Sequence, residues 1–360
     1  MLWIVTLFRN RAQASPFYQS HLTLLIPAHN EEKYISQCLR AVIESDYPSD
    51  KMNVLVVSDG STDRTNEIVD SFYQFGVRLV ALKVRRGKYS ALCSVLDSID
   101  TEVLVMMDAS TILKFDAISR LVRHFQDDTI GSTVGARTIM QTGTTVSKSD
   151  SLYWKYESML RALESRTGSS WVGVDGGLFA IRKELLTMDL SKGLSTDLLL
   201  GFHLCAKGFR NHYDSTALFW EPPSQNLSTE FFRKIRVIVR GIRVFVFHWR
   251  MLNPFVRPDF CFQNISHKLL RWLVPFFMLG IFAGCMMSES TFFILLLYAQ
   301  IAFYMLAASA LVLKRYGIKS WLTSIPLYFC SMNAAALVAW FVLFRRFNTW
   351  TRTQRSHMVD

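Results

Sequence analysis

The sequence predicts an α/β protein: a mostly parallel, doubly wound sheet, then a basic amphipathic region and C-terminal helices of membrane-spanning length. Three observations carry that prediction. Short apolar, β-branched runs alternate with helical patterns from Leu22 to Ile139, as in repeated strand–helix–strand units. Half of the 360 residues are hydrophobic and the mean hydropathy is +0.19, which places part of the chain in a bilayer. The net charge of +11 is uneven: nine Lys or Arg stand between Phe231 and Arg271 against the single Asp259, directly before the apolar segments.

Leu22–Pro27 is the first expected strand, followed by Ala28-His-Asn-Glu-Glu32 and a helix with Ile35, Leu39, Val42 and Ile43 facing inward. Val54–Ser58 is the second strand, β-branched enough to be buried on both faces. It ends in Asp59-Gly60, a turn signal, and Thr62 or Asp63 can cap the helix that follows. Ligands of open α/β sheets sit at the carboxyl ends of strands, so Asp59 stands where a nucleotide could be held. Val77–Val84 is the third strand, and a helix runs from Gly87 to about Ile99 with Leu92, Val95 and Leu96 at helical spacing. Glu102–Met107 is the fourth strand and delivers Asp108. An amphipathic helix at Phe115–Phe125 and a fifth strand at Thr133–Ile139 follow. Gln141–Ser151 is polar and reads as a mobile loop, Ser151–Leu163 as a helix, and Ser195-Thr196-Asp197 opens a helix through Leu204.

The basic block reads as a membrane-facing surface rather than a nucleic-acid site, because Ile235, Val239, Ile242, Val246 and Trp249 form an apolar stripe beside it. Leu269–Met287, Thr291–Leu313 and Trp321–Phe344 are each close to the length a span requires. Ser288-Glu289-Ser290 reads as outside, and Lys314, Arg315 and Lys319 as inside. Three full crossings put the tail outside, whereas Arg345, Arg346, Arg352 and Arg355 favour the inside. Either the third segment is re-entrant or the charge rule fails here. Cysteines 38, 93, 205, 261, 285 and 330 form no C-x-x-C pair, which argues against a disulfide framework or a zinc site and suits a reducing compartment. Met1–Phe8 is too short to span, and its charges follow rather than precede it, unlike a signal peptide.

Seven motifs stand in order: I-P-A-H-N-E-E (26–32), S-D-G-S-T-D (58–63), R-G-K-Y-S-A-L (86–92), M-D-A-S-T (107–111), G-V-D-G-G-L-F-A-I-R-K (173–183), S-T-D-L-L-L-G (195–201) and R-K-I-R-V-I-V-R-G (233–241). In order and spacing they resemble the catalytic domain of glycosyltransferase family 2, a Rossmann-like GT-A fold. L-N-P (252–254) and S-H-K-L-L-R-W-L-V-P (266–275) resemble its membrane-bound, polysaccharide-forming branch.

The resemblance implies roles for particular residues. Pro27, Asn30 and Glu31 would shape the nucleotide pocket, Asp59 would bond the uracil edge, and Lys88 would place a cation near the nucleotide or diphosphate. Asp108 matches the first carboxylate of the family's Asp-x-Asp, which handles ribose and a Mg²⁺ or Mn²⁺ ion. The second position here is Ser110, whose hydroxyl is a far poorer ligand, so metal dependence is in question. Asp197 would be the general base that deprotonates the acceptor hydroxyl. Arg233 and Arg236 would meet diphosphate and acceptor, with Val237 where processive synthases carry tryptophan. Asp175 and Gly176 would form a turn near the acceptor. His203 and His212 lack partners at ligand spacing and read as structural.

The expected organisation is an N-terminal segment with possible surface contact (1–20), a GT-A domain (21–228), a basic interface region (229–267), a membrane region (268–346) and a basic tail (347–360). The expected function is inverting transfer of a sugar, from a nucleotide-sugar such as a UDP-sugar to a lipid-linked or growing polysaccharide, in exopolysaccharide or capsule assembly. The setting is the inner membrane with the catalytic domain cytoplasmic. Lipids and other assembly subunits are the expected partners. The competing expectation is a catalytically inactive scaffold subunit of the same kind of complex, favoured by Ser110 and Val237.

Overall fold

The computed structural model describes residues 18–139, 145–166, 176–186, 196–222, 227–255, 258–316 and 320–343. The chain divides into two compact units. One lies within Met1–Met140 and Trp154–Pro222, the other within Gln141–Tyr153 and Pro223–Asp360.

The first unit is built on an eight-stranded sheet, in the order β3-β2-β1-β4-β7-β6-β8-β5. Its strands are β1 (Leu22–Ala28), β2 (Met52–Asp59), β3 (Val77–Leu82), β4 (Val103–Met107), β5 (Ile112–Leu113), β6 (Ile130–Ile139), β7 (Leu178–Arg182) and β8 (Arg210–Glu221). β1 pairs in parallel with β2 and β4, and β2 with β3. Helices cover both faces: α1 (Ile35–Ile43), α2 (Thr65–Asp70), α3 (Lys88–Leu96), α4 (Ala117–Val122), the C-terminal part of α5 (Thr145–Arg166), and α6 (Thr196–Ala206). The strand alternation divides the core. Leu22, Leu24, Ile26, Val103, Val105 and Met107 pack in one cluster with Ile35 and Leu39; Leu25, Leu104 and Met106 pack in the other with Leu92 and Val95. Each such side chain contributes about 1.5–3 kcal/mol on burial, so these short strands are fixed in register by both faces at once.

Past β4 the sheet departs from the expected parallel winding. β7 runs antiparallel between β4 and β6, while β8 runs parallel to β6 and antiparallel to β5. The sheet is therefore mixed. β7 reads Leu-Phe-Ala-Ile-Arg, buried throughout, and gives no alternation to read. In β8 the polar residues are satisfied by partners far away in the chain, and a register shift opposite Gly135 and Ala136 breaks the pattern. The polar stretch expected as a loop over Gln141–Ser151 is helical from Thr145 onward, as part of α5. α3 ends at Leu96 and α4 continues into a single 3₁₀ turn, Arg123–Gln126.

A polar network ties β8 to its neighbours. Asp214 accepts from Arg123 at 2.9 Å and meets His124 Nε2 at 2.8 Å, and His124 stacks on His212 with ring centroids 4.1 Å apart. His212 Nδ1 meets Ser165 Oγ of α5 at 2.9 Å. Burial, reinforced by His124, pushes His212 down to about 3. His212 is held by side-chain partners in this network.

The second unit contains α7 (Leu227–Phe247), α8 (Pro258–Asn264), α9 (Leu270–Met286), α10 (Thr291–Arg315) and α11 (Trp321–Val342). One π turn, Ile265–Leu269, joins α8 to α9. Three stretches are long and apolar enough to cross a membrane: Phe260–Met286, Thr291–Leu313 and Leu322–Val342. The first begins earlier than Leu269 because α8 and the π turn run on into it. α7 buries Ile235, Ile238, Val239, Ile242 and Phe245, whereas Val246 and Trp249 of the expected stripe are exposed. The helical stripe reaches 245 rather than 246, and Trp249 lies beyond the end of the helix. The packing is specific: Phe245 meets Trp272 edge-on at 5.2 Å, Trp340 Nε1 donates to the Trp272 carbonyl at 3.0 Å, and Arg243 donates to the Leu343 carbonyl at 3.3 Å. Gln300 donates to the Met278 carbonyl and to Tyr304 Oη, a polar link between apolar helices.

Candidate active site

The loops after β1 and β2 are stitched together at the carboxyl end of the sheet. Asn30 sits at φ 55, a left-handed conformation that asparagine tolerates. Its Oδ1 accepts from Thr62 N at 2.7 Å, and its own N donates to Ser61 Oγ at 3.2 Å. Glu31 N donates to Thr65 Oγ1 at 2.8 Å. Pro27 pairs with Val57 in the β1–β2 register. Pro27, Asn30 and Glu31 thus build the wall of the loop pair.

Asp59, 1% exposed, is turned toward the next loop. Its Oδ1 accepts from Arg86 N at 2.6 Å and its Oδ2 from Gly87 N at 2.7 Å. Gly60 makes that approach possible: at φ +64, a Cβ on it would lie 2.7 Å from Arg85 N. The carboxylate therefore holds the loop that presents Lys88.

Lys88 opens α3 and its Nζ meets Asp108 Oδ1 at 2.6 Å, with the Gly176 carbonyl at 3.5 Å. Burial works against its charge, but Asp108 and Asp197 outweigh it and raise its pKa above the ordinary lysine value. Asp108 follows β4, and Thr111 Oγ1 anchors its turn to the Gly177 carbonyl at 3.0 Å. Asp197 lies in the first turn of α6, and its Oδ1 accepts a hydrogen bond from the Tyr89 phenol. Behind these, Arg137 on β6 donates to Glu221 at the end of β8 at 3.0 Å. Gly177 passes so close that a Cβ would lie 2.3 Å from Glu221 Oε1.

Asp59, Lys88, Asp108, Gly176 and Asp197 are joined by these bonds and close approaches. Asp175 lies outside the described residues, as does Ser195. Arg233 and Arg236 lie on α7 in the second unit, where Arg233 bonds Glu230 at 2.5 and 2.8 Å. Burial, with Arg240 and Arg233 adding repulsion, lowers Arg236 to about 10. Sequence reasoning missed Tyr89, Arg137 and Glu221 as site residues. Tyr89 was visible inside R-G-K-Y, whereas Glu221 ends a strand that carried no signal.

Of the expected carboxylate pair only Asp108 is acidic, so a divalent cation here would take its remaining ligands from diphosphate oxygens and water. Asp108 offers one carboxylate, already bonded to an ammonium, and Ser110 is a hydroxyl only 3% exposed. Among the described residues no group of three His, Cys, Asp or Glu could hold an ion.

The family model "Glycosyl transferase family 2" matches residues 23–187. The chain is 27% identical over 297 residues to Probable glycosyltransferase YdaM of Bacillus subtilis (strain 168), covering 77% of this chain and 67% of that protein. It is 22% identical over 222 residues to a poly-beta-1,6-N-acetyl-D-glucosamine synthase of Staphylococcus aureus (strain COL), covering 60% of this chain and 53% of that one. The match thus spans little more than half of the synthase. Among solved structures, the mannosyltransferase PcManGT from Pyrobaculum calidifontis, in complex with GDP-Man and Mn²⁺, superposes with a TM-score of 0.69 at 22% identity, covering 93% of each chain. Residues 23–187 match the glycosyl transferase family 2 model, and the sheet that carries them has the GT-A fold.

Proposed function

We propose that the chain is a membrane-bound, inverting glycosyltransferase that moves a sugar from a nucleotide-sugar, a UDP-sugar in the first instance, to a lipid-linked or growing polysaccharide. The observation that carries this reading is a four-residue run, Arg86–Tyr89, that bonds three carboxylates from three strand and helix ends: Asp59, Asp108 and Asp197. Three acids drawn onto one short run, one of them paired with the Lys88 ammonium, are costly to gather in a partly enclosed site unless they serve chemistry.

In this reading Asp197 accepts the proton of the acceptor hydroxyl. The acceptor oxygen then bonds the anomeric carbon, and the bond to the diphosphate breaks with its electron pair leaving on the nucleoside diphosphate. One displacement from the opposite side inverts the anomeric centre. Lys88 moves from Asp108 toward the departing phosphates and neutralises their charge. No step is routed through a metal ion. The three apolar stretches support attachment to the cell membrane, with the catalytic unit on the cytoplasmic side where nucleotide-sugars are made. The likeness to a poly-N-acetylglucosamine synthase supports a polysaccharide acceptor.

A second reading, an inactive scaffold, is favoured by Ser110, which removes the second carboxylate. Nucleotide release by the full chain in nanodiscs separates the two. UDP-N-acetylglucosamine and GDP-mannose are offered with native lipid extract, in Mn²⁺, Mg²⁺ or EDTA, beside Asp197→Asn. Release that falls about 10²–10⁴-fold in Asp197→Asn is the expected result, and its response to EDTA reports whether a divalent cation is needed. Donor binding without release in any buffer favours the scaffold. Turnover retained by Asp197→Asn removes Asp197 as the base.

A further inference from the structure

Most of the apolar stripe that the sequence offers to a bilayer is used inside the second unit. Ile235, Val239 and Ile242 are buried. α7 lies so close to α9 that a Cβ on Gly241 would stand 2.6 Å from the Trp272 ring, and Phe245 meets the same ring. Three large aromatic side chains at and after the end of α7 are instead left uncovered: Phe247 is 70% exposed, Trp249 66% and Phe255 94%. They are presented by a built turn. Trp249–Leu252 is a 3₁₀ turn, Asn253 Oδ1 accepts from Phe255 N at 2.9 Å, and Cys261 Sγ of α8 donates to the Leu252 carbonyl at 2.9 Å. A tethered backbone that shows several aromatic rings to water calls for a partner.

Two observations say what covers them. The first stretch of spanning length starts at Phe260, a few residues further on, and Phe262 on it is exposed as well. The turn therefore leads straight into an apolar helix that needs lipid around it. Between Val246 and Pro258 the fixed charges are Arg250 and Arg257, with no acid, and the Arg250 guanidinium lies 5.9 Å from the Trp249 ring centre. Aromatic rings with arginine beside the end of a span suit the headgroup layer, where the rings sink and the cation meets phosphate.

We infer that residues 247–255 form an in-plane anchor, which beds Phe247, Trp249 and Phe255 in the headgroup layer and takes the phosphate of an acidic phospholipid on Arg250. This rests on the chain being membrane-bound. It moves the lipid contact from the stripe of α7, which packs on protein, to the turn that follows it.

The test uses the full chain in nanodiscs of phosphatidylcholine brominated either near the headgroup or near the chain end, with or without phosphatidylglycerol. The emission of Trp249 is read as wild type minus Trp249→Phe. Bromine near the headgroup should quench it roughly two- to threefold more than bromine near the chain end. Phosphatidylglycerol should about double that quenching, and Arg250→Gln should abolish the response to phosphatidylglycerol. Phe255→Trp in the Trp249→Phe background gives a second reporter, which should follow the same order.

Both reporters unquenched, in a chain that stays in the nanodisc through gel filtration, overturns the anchor and leaves membrane attachment standing. Stronger quenching from the chain end also overturns it, since the turn would then lie in the hydrocarbon. Quenching that ignores phosphatidylglycerol removes the role of Arg250. A chain that leaves the nanodisc removes the membrane reading and this inference with it.

Discussion

Asp59 and Asp197 are both held by the same short segment, but by different means. Asp59 is grasped by two backbone amides, those of Arg86 and Gly87, and is almost wholly buried. Asp197 accepts from a side chain, the Tyr89 phenol. A carboxylate locked by backbone cannot let go without unfolding the loop, so Asp59 acts as part of the frame. A side-chain partner leaves a carboxylate more freedom than two backbone amides do, which suits the role proposed for Asp197 as the base. Asp108 shares the second character, its partner being the flexible Lys88.

Two substitutions sharpen this contrast. Lys88→Met leaves Asp108 without its cation and the departing phosphates without theirs. It should lower kcat/KM about 10²–10³-fold, read by nucleotide release, while a fall of less than threefold would show that Lys88 is a bystander. Asp59→Asn should act on the frame instead. An amide cannot accept from both backbone N–H groups as the carboxylate does, so about 2 kcal/mol of stability should be lost and the nucleotide should bind more weakly. Chemical denaturation and UDP titration check this, and a change confined to kcat would erase the distinction between the two aspartates.

The smallest effect concerns the network at β8, far from either carboxylate in role. His212 is faced by His124, Asp214, Arg210 and Arg123, and burial pushes its pKa down from 6.5 to about 3. Folded, it stays neutral; unfolded, it binds a proton below about 6.5. The unfolded chain therefore takes up more protons in that window, and stability falls as pH drops from 6.5 toward 3. Asp214 adds in the same direction: despite burial, hydrogen bonds from His124 and Thr216 hold it below the usual carboxylate range. Thermal unfolding between pH 7.5 and 5 should show this decline, and His212→Gln should flatten it. An unchanged slope would mean that the network carries no proton linkage.

The sequence was informative where structure is local. The apolar runs of β1, β2 and β4 are strands because both faces are buried, and period and composition report that directly. Asp59-Gly60, Gly87-Lys88 and Asp197 at the start of α6 were placed by turn and helix-start chemistry, which depends on a few adjacent residues. The three apolar stretches were placed by length alone, apart from the first, whose start was displaced by the π turn.

What the sequence by itself determined, then, was the order of elements, the parallel half of the sheet, and the positions of the carboxylates and the lysine. Only the tertiary structure decided what each of these touches. Tyr89 and Asp197 are 108 residues apart and Arg137 and Glu221 are 84 apart, and no local pattern encodes such a meeting. The antiparallel β7 and the polar, bulged β8 belong to the same class: their residues are satisfied by Ser132, Ser165, Arg123 and His124 once the chain has folded back. Local propensity depends on neighbours in sequence, whereas a site depends on neighbours in space, and those are set by the packing of the whole sheet.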